Sequence, residues 1–348
     1  MIITNHLTAS QTAHVAALEA VCKKFDSLQG NIFLSDDLNF DSEFPCFYLL
    51  YNPDNNEELI SFLSVFAPSE LEAEIYAYTA PAWRRQGCFN TLLEAALHTL
   101  YEYGVDDIFF VHEPESAEAQ AVLAGLGTVY RHSECLMKRS PKATLCAADD
   151  SCSAEVSCLP EASCSKTEAC TSLQLVPADS SDIPAITRLH AEAFGSDIDA
   201  SHELICEVFA DRHCQARKLI ASTHAGASPS AGSLPLGNVT SDTGSLPRDF
   251  APSDSTEPLG ICFYTASPQE ISVFGIAVAP AHQRKGCASF MLQELLFELS
   301  DLYPDVPVTL QVNSTNHAAY ALYQKLGFTV SVQFDYDYAD CRELLELF

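Results

Sequence analysis

The spacing of apolar residues changes period along the chain, and each change marks a switch between strand and helix. From 270 to 278 a β-branched and aromatic run, Val273, Phe274, Ile276 and Val278, predicts a buried strand. Pro280 ends it, because proline has no amide to give the ladder. Beyond it Phe290, Met291, Leu292, Leu295, Leu296 and Leu299 recur at helical spacing, so residues 283–288 fall at a helix N-terminus. The same reading predicts a helix over 10–25, with Val15, Leu18, Val21 and Cys22 on one face, and strands over 46–51, 58–66 and 72–79. A helix at 88–101, a strand at 107–111 and a helix at 116–126 follow. Later come strands at 173–176, 218–222, 260–265 and 308–312, and helices at 182–194, near 202–209 and at 316–326. In a last strand, 328–338, Val330, Val332, Phe334, Tyr336 and Tyr338 alternate, which predicts one buried face and one polar face.

This order of elements occurs twice. Thr79-Ala80-Pro81 followed by Arg84-Arg85-Gln86-Gly87-Cys88 matches Val278-Ala279-Pro280 followed by Gln283-Arg284-Lys285-Gly286-Cys287, and Leu126-Gly127 matches Leu326-Gly327. Two copies of one domain are expected, at 1–140 and 171–348, each a mixed α/β unit with a mostly antiparallel sheet flanked by helices. Residues 141–170, where Cys146, Cys152, Cys158, Cys164 and Cys170 stand six apart among Ser, Ala, Glu and Asp, read as a low-complexity linker. Metal ligands come in closer pairs and often include histidine, so no metal is expected there, although thiol chemistry remains open. Residues 224–258, rich in Ser, Pro, Gly, Thr and Asp with GSLP at 232 and again at 244, read as a disordered insertion in the second copy.

Charge narrows the function. The net charge is −29 over 348 residues, and the acidic excess is spread over both copies, so nucleic acid is not an expected partner. Yet Arg84, Arg85, Arg284 and Lys285, four of the 18 basic residues, sit in the two glycine loops. At a helix N-terminus, free backbone amides and the helix dipole favour an anion, a diphosphate above all. The start has no basic region followed by an apolar core, and no apolar run reaches membrane-spanning length; no membrane partner and a cytoplasmic location are expected. Fourteen cysteines in such a chain are then expected as reduced thiols.

The strand, the loop Gln283-Arg284-Lys285-Gly286-Cys287-Ala288 and the later segment from Asn316 through Tyr323 to Phe328 resemble the GNAT superfamily of acyl-CoA N-acyltransferases. The resemblance covers both copies, and the layout is similar to that of mycothiol synthase. It implies an acetyl-CoA-dependent N-acetyltransferase acting on a primary amine of a small molecule or a protein by direct attack on the thioester, with no metal. The acceptor could instead be a protein N-terminus or lysine, and a non-catalytic acyl-CoA-binding or scaffold protein is the rival of another class.

The resemblance implies roles residue by residue. The diphosphate would lie on the amides of Gln283, Arg284, Lys285, Gly286, Cys287 and Ala288, and the thioester near Ala277 and Val278, where a backbone amide could stabilise the oxyanion. Tyr323 matches the family's tyrosine acid; its alternative is a packed core tyrosine. Asn316 matches a contact to the cofactor arm, or is a helix cap only. Glu270, at the head of the central strand, is expected as a base through water, against a solvated strand-end carboxylate. His282 and His317 read as surface or capping residues. Cys88 and Cys287 fall near the diphosphate, which disfavours a nucleophilic cysteine. The first copy departs from the pattern, with Phe89 in place of Gly or Ala, Ser116 in place of Asn316 and Leu123 in place of Tyr323. A second cofactor site is expected at Arg84, Arg85, Gln86, Gly87 and Cys88, silent or structural, with the chemistry in the second copy.

Overall fold

The structure is a computed structural model and describes residues 1–32, 34, 36, 39–141, 170–224 and 257–348. Cys146, Cys152, Cys158 and Cys164, and nearly all of the insertion, lie outside the described residues. The chain forms two compact units. The first comprises Met1–Met137, Gln311–Ala321 and Thr329–Phe348, and the second Lys138–Leu310 and Leu322–Phe328.

In chain order the elements begin β1 (Ile2–Thr4), α1 (Ala9–Asp26), β2 (Phe47–Asn52), β3 (Asn55–Phe66), β4 (Glu72–Thr79), α2 (Cys88–Tyr103), β5 (Asp107–His112), α3 (Ala117–Leu126) and β6 (Val129–Arg139). They continue β7 (Cys170–Pro177), α4 (Ile183–Phe194), α5 (Ile198–Ala210), β8 (Cys214–His224), β9 (Gly260–Ala266), β10 (Ile271–Val278), α6 (Cys287–Leu302), β11 (Val308–Asn313), α7 (His317–Lys325), β12 (Thr329–Asp340) and α8 (Cys341–Leu345). The expected mixed α/β class, with mostly antiparallel pairing, holds in both units.

In the first unit the strand order is β1-β2-β3-β4-β5-β12-β6. Neighbours from β1 to β4 pair antiparallel, β4 and β5 run parallel, and β12 lies antiparallel to β5. Thr8 starts α1 with a reciprocal capping box to Gln11, and Val15, Leu18 and Cys22 bury its inner face. Val21 is instead 54% exposed. Its position lies about 60° beyond the stripe that the other three define at 100° per residue, so the predicted face was one residue too wide.

The unit boundaries differ from the sequence boundaries at the last strand. The sequence pattern places residues 329–348 in the second copy, whereas β12 pairs along β5 from Asp335↔His112 to Asp340↔Asp107. Ala339, Cys341 and Leu344 then complete the first unit's core beside Leu97 and Leu100. The apolar face of α8 and an otherwise unpaired edge of β5 are both satisfied by this arrangement. Its alternation is only partly as predicted. Val332 and Tyr336 are buried, whereas Val330 is 41% exposed. On the other face Asp335 accepts from Ser133 Oγ at 2.7 Å and Asp337 from His112 Nε2 at 2.8 Å, so this face is bonded rather than solvated. Strands β1 and β6 carry no pattern strong enough to have been delimited in advance.

The second unit has the order β11-β10-β9-β8-β7, with β10 and β11 parallel and the other neighbours antiparallel. Met291, Leu292, Leu295, Leu296 and Leu299 bury the inner face of α6. Ile186, Leu189, Ile205, Ile261, Phe263 and Ala277 form a packed cluster where α4 and α5 meet the sheet. No helix among the described residues is long and apolar enough to cross a membrane.

Candidate active site

In each unit the strand that carries the loop ends in a one-turn 3₁₀ helix opened by the predicted proline, Pro81–Trp83 in one and Pro280–His282 in the other. The two loops that follow have nearly the same backbone. Arg85 and Arg284 adopt φ of 62° and 60°, and Gly87 and Gly286 adopt φ of 82° and 83° at the head of α2 and α6. A non-glycine residue in the left-handed region is uncommon and marks a built conformation. Glycine at each N-cap has no side chain to accept from the first-turn amides of α2 and α6, which are left without a capping side chain. A Cβ added at Gly87 or Gly286 would meet nothing within 4 Å; both loops are open cradles of the kind that accepts an anion.

The first side chain of each loop ties it to the preceding strand. Gln283 Nε2 donates to the Val278 carbonyl at 3.1 Å, and Arg84 Nε donates to the matching Thr79 carbonyl at 3.0 Å. Arg84 is further committed to Asp26 by two bonds of 2.8 and 2.5 Å, so its guanidinium holds the fold rather than facing a ligand. Gln86 donates to the Ala82 carbonyl at 2.9 Å, while Arg85 and Arg284 are exposed. Lys285 and Ala288 are half-buried. Cys88 and Cys287 turn their thiols into the core, and burial raises the pKa of each. These two positions offer a ligand only their amides.

The strands ahead of the loops differ. Along β10 the pairing with β9 shifts between Phe274 and Ala277, so that Gly275 and Ile276 together oppose one residue, a bulge. The break falls immediately ahead of Ala277 and Val278, which are buried and back in the ladder. Parallel pairing of β10 with β11 is confined to Ile271↔Val308 and Ser272↔Thr309. Gly275 has φ of +56°, and a Cβ there would stand 2.4 Å from the Phe263 ring. Gly275→Ala is therefore expected to destabilise the protein by about 2 kcal/mol or more, measured by urea denaturation. In the first unit β3 and β4 stay in register from Ser61↔Thr79 to Phe66↔Glu74, with no bulge.

Tyr323 is 6% exposed, its ring tilted against Phe328 with centroids 6.1 Å apart. Burial pushes its hydroxyl up to about 12, so it keeps its proton at neutral pH. Asn316 caps α7, its Oδ1 accepting from the Ala319 amide at 3.1 Å. Glu270 is exposed in the turn before β10. It stands at the end where β10 and β11 are still paired, eight residues from Val278 and thus roughly 25 Å along an extended strand. The structure does not bring Glu270 to the predicted thioester position, because the strands part toward their other ends. Among the described residues no group of His, Cys, Asp and Glu is arranged to hold a metal.

Three features had no counterpart in the sequence reading. The first is the bulge. The second is a cavity of about 300 Å³ in the first unit, walled by β4, β5, α3, the 84–89 loop and Phe334. The third is a carboxyl on the same sheet. Tyr76, which lines that cavity, donates to Glu74, and burial pushes the Glu74 carboxyl up to about 7. Its folded value lies above the unfolded value of about 4.3, so its contribution to stability is complete below about 4.3 and is lost as pH rises through about 7. Glu74→Gln is expected to flatten that part of the stability profile, checked by denaturation at matched points across that range.

Comparison with known proteins bears on the family and the fold. Residues 246–328 match the model of the acetyltransferase (GNAT) family. A GCN5-related N-acetyltransferase from Sphaerobacter thermophilus superposes with a TM-score of 0.65 at 15% identity, covering 98% of this chain and 95% of that one. A tandem GNAT protein from the clavulanic acid biosynthesis pathway gives 0.60 at 14% identity, covering 96% and 97%. The [ribosomal protein bS18]-alanine N-acetyltransferase of Salmonella typhimurium is 42% identical over 59 residues, 17% of this chain and 39% of that protein. The chain thus spans about two fifths of the length of that relative. The loop at 283–288 lies within residues 246–328, the segment that matches the GNAT acetyltransferase family, and the chain has the fold of the GNAT structures.

Proposed function

We propose that the protein is an acetyl-CoA-dependent N-acetyltransferase that acetylates a primary amine, with the chemistry in the second copy, residues 171–348. The observation that carries this is the bulged strand β10 leading through a one-turn helix into an uncapped, open cradle at Gly286. The amides of 283–288 would hold the diphosphate of the co-substrate, and the ladder break ahead of Ala277 and Val278 would leave an amide to the thioester oxygen. The neutral amine attacks the carbonyl carbon, the carbon–sulfur bond breaks, and the leaving thiolate takes a proton from Tyr323. Water removes the proton from the new ammonium and returns one to the Tyr323 phenolate, which restores the acid; Glu270, at the far end of β10, is left without a direct part. Asn316 keeps its capping role, and a contact from it to the cofactor arm is not needed. No metal enters, since the thioester is already activated. The cytoplasmic location expected from the sequence belongs to this reading, together with the free thiols of the described cysteines.

A second reading takes a protein N-terminus as acceptor. It is favoured by the 59-residue likeness to an enzyme named for acetylating an alanine of a ribosomal protein. The two are separated by incubating the protein with isotopically labelled acetyl-CoA and either a metabolite extract or a protein extract. Label is expected in a small amine; label confined to protein N-termini would select the second reading, and label in neither would reject both.

A further inference from the structure

The seam between α4 and α5 holds side chains that the proposed transfer does not use. Both helices belong to the second unit, and Ile186 and Leu189 of α4 join Ile205 of α5 in one apolar cluster. Two histidines of this seam are held differently. His190 is 8% exposed, its Nδ1 3.1 Å from Ser201 Oγ and its ring centroid 4.6 Å from that of Phe194. Burial lowers its pKa, so it stays neutral and packed. His202 is exposed, with Nδ1 3.5 Å from Thr187 Oγ1 and Nε2 3.6 Å from Cys206 Sγ.

Cys206, His202 and Thr187 stand in the order of a nucleophile, a base and an orienting group. Cys206 and His202 are four apart on α5, the spacing that puts two side chains on one face of a helix. Thr187 is 4% exposed on α4, so its hydroxyl is a fixed partner for Nδ1 and leaves Nε2 to the thiol. Of the nine cysteines whose side chains are described, only Cys206 and Cys214 are not buried. Burial, with Asp211 nearby, pushes the Cys214 thiol up to about 11, and burial likewise pushes Cys22 and Cys341 up to about 11 and Cys46 and Cys262 up to about 12. Those five thiols keep their protons at neutral pH. Cys206 is half-buried with an imidazole at hand.

The charge beside the pair selects its reactant. Asp199, Glu203 and Glu207 recur four apart on α5 and are all exposed, and at 100° per residue Glu203 stands about 60° around the helix from Cys206. Such a row repels an anionic reactant and draws in a cationic one. We propose that Cys206, with His202 as its base and Thr187 as the orienting partner, is a thiol exchange site that takes small cationic disulfides and keeps one half as a mixed disulfide. The thiol proton passes to His202 Nε2, the Cys206 sulfur attacks one sulfur of the incoming disulfide, and that disulfide bond breaks as the new one forms. The departing thiolate takes the proton from the imidazolium, so Cys206 is oxidised, the leaving half is reduced, and no further reactant is needed. A second thiol reverses the step. Neither glycine loop takes part, so the inference stands apart from the acetyl transfer proposed above.

The test incubates the full-length chain with cystamine, a dication, or with oxidised glutathione, an anion, followed by an acid quench and tryptic digestion. The peptide 189–212 contains Cys206 and no other cysteine, so mass spectrometry reads its adduct apart from every other thiol. At low salt cystamine is expected to label it at least about 10-fold faster than oxidised glutathione, and added salt is expected to narrow that gap by screening the acidic row. His202→Ala is expected to slow cystamine at least about 10-fold in a protein that stays folded, because His202 is exposed and alanine favours a helix. Thr187→Val is expected to slow it about 3-fold, the weight of one long hydrogen bond, and Thr187→Ser to restore the rate. A His202→Ala rate within about twofold of the wild type overturns the inference, and so does equal labelling by the two disulfides at low salt. A Thr187→Val loss that Thr187→Ser fails to restore overturns the orienting role and makes that contact packing alone.

Discussion

Gly286→Val is expected to lower CoA affinity by at least about 100-fold, close to 2.7 kcal/mol, in a protein that remains folded. Gly286 sits at the head of α6 with φ of 83°, and a Cβ built there meets nothing within 4 Å. No protein atom is displaced, so the cost to folding is the left-handed backbone alone, about 1–2 kcal/mol and somewhat more for a β-branched residue. The effect on the ligand is larger, since the branched side chain occupies the space through which a phosphate must approach the amides. Gly286→Ala separates the two terms, having the same backbone strain with little bulk. Isothermal calorimetry with CoA, together with a thermal melt, reads both. Unchanged affinity in folded Gly286→Val protein would remove the cradle from the reading and the proposed function with it.

Tyr323→Phe is expected to lower kcat by about 10²–10⁴ while acetyl-CoA binding stays nearly constant. The substitution keeps the ring that packs on Phe328 and removes only the hydroxyl. Burial places that hydroxyl at about 12, whereas a thiol like that of CoA titrates near 8.5. Transfer to a free thiolate is therefore uphill by roughly 5 kcal/mol, so the proton must move as the carbon–sulfur bond breaks and charge builds on sulfur. The acid is active while protonated, which is below its pKa. No alkaline loss of kcat from Tyr323 is thus expected between about pH 8 and 10, and any limb found there must come from another group. A kcat within about twofold of the wild type would make water the acid and Tyr323 a packing residue.

The sequence by itself determined what rests on local chemistry. The strand–proline–loop–helix order around Pro280 and Gly286 is written in residues a few positions apart, because a missing amide ends a ladder and a glycine permits φ of 83°. The duplicated loop was legible for the same reason, and its backbone at Arg85 and Gly87 repeats that at Arg284 and Gly286 to within a few degrees. Most of the helices and strands, with the core face of α6, followed from period alone.

Tertiary structure decided what depends on partners distant in the chain. Alternation showed that residues 328–338 form a strand with an apolar face, but not whose edge it joins; pairing with β5 is a contact across more than 200 residues, and period carries no address. The bulge at Gly275 and Ile276 exists only relative to β9, so a glycine in a strand signals it without locating it. Arg84 has the loop position of a ligand-facing cation, yet Asp26, 58 positions away, holds its guanidinium. Glu270 read as a base because it begins the central strand, yet the direction in which β10 and β11 part is set by their parallel register, and that puts Glu270 at the closed end. The cavity of the first unit was hidden for the same reason: its strap, strands, helix and Phe334 are separate in the chain and become one wall only when the fold brings them together.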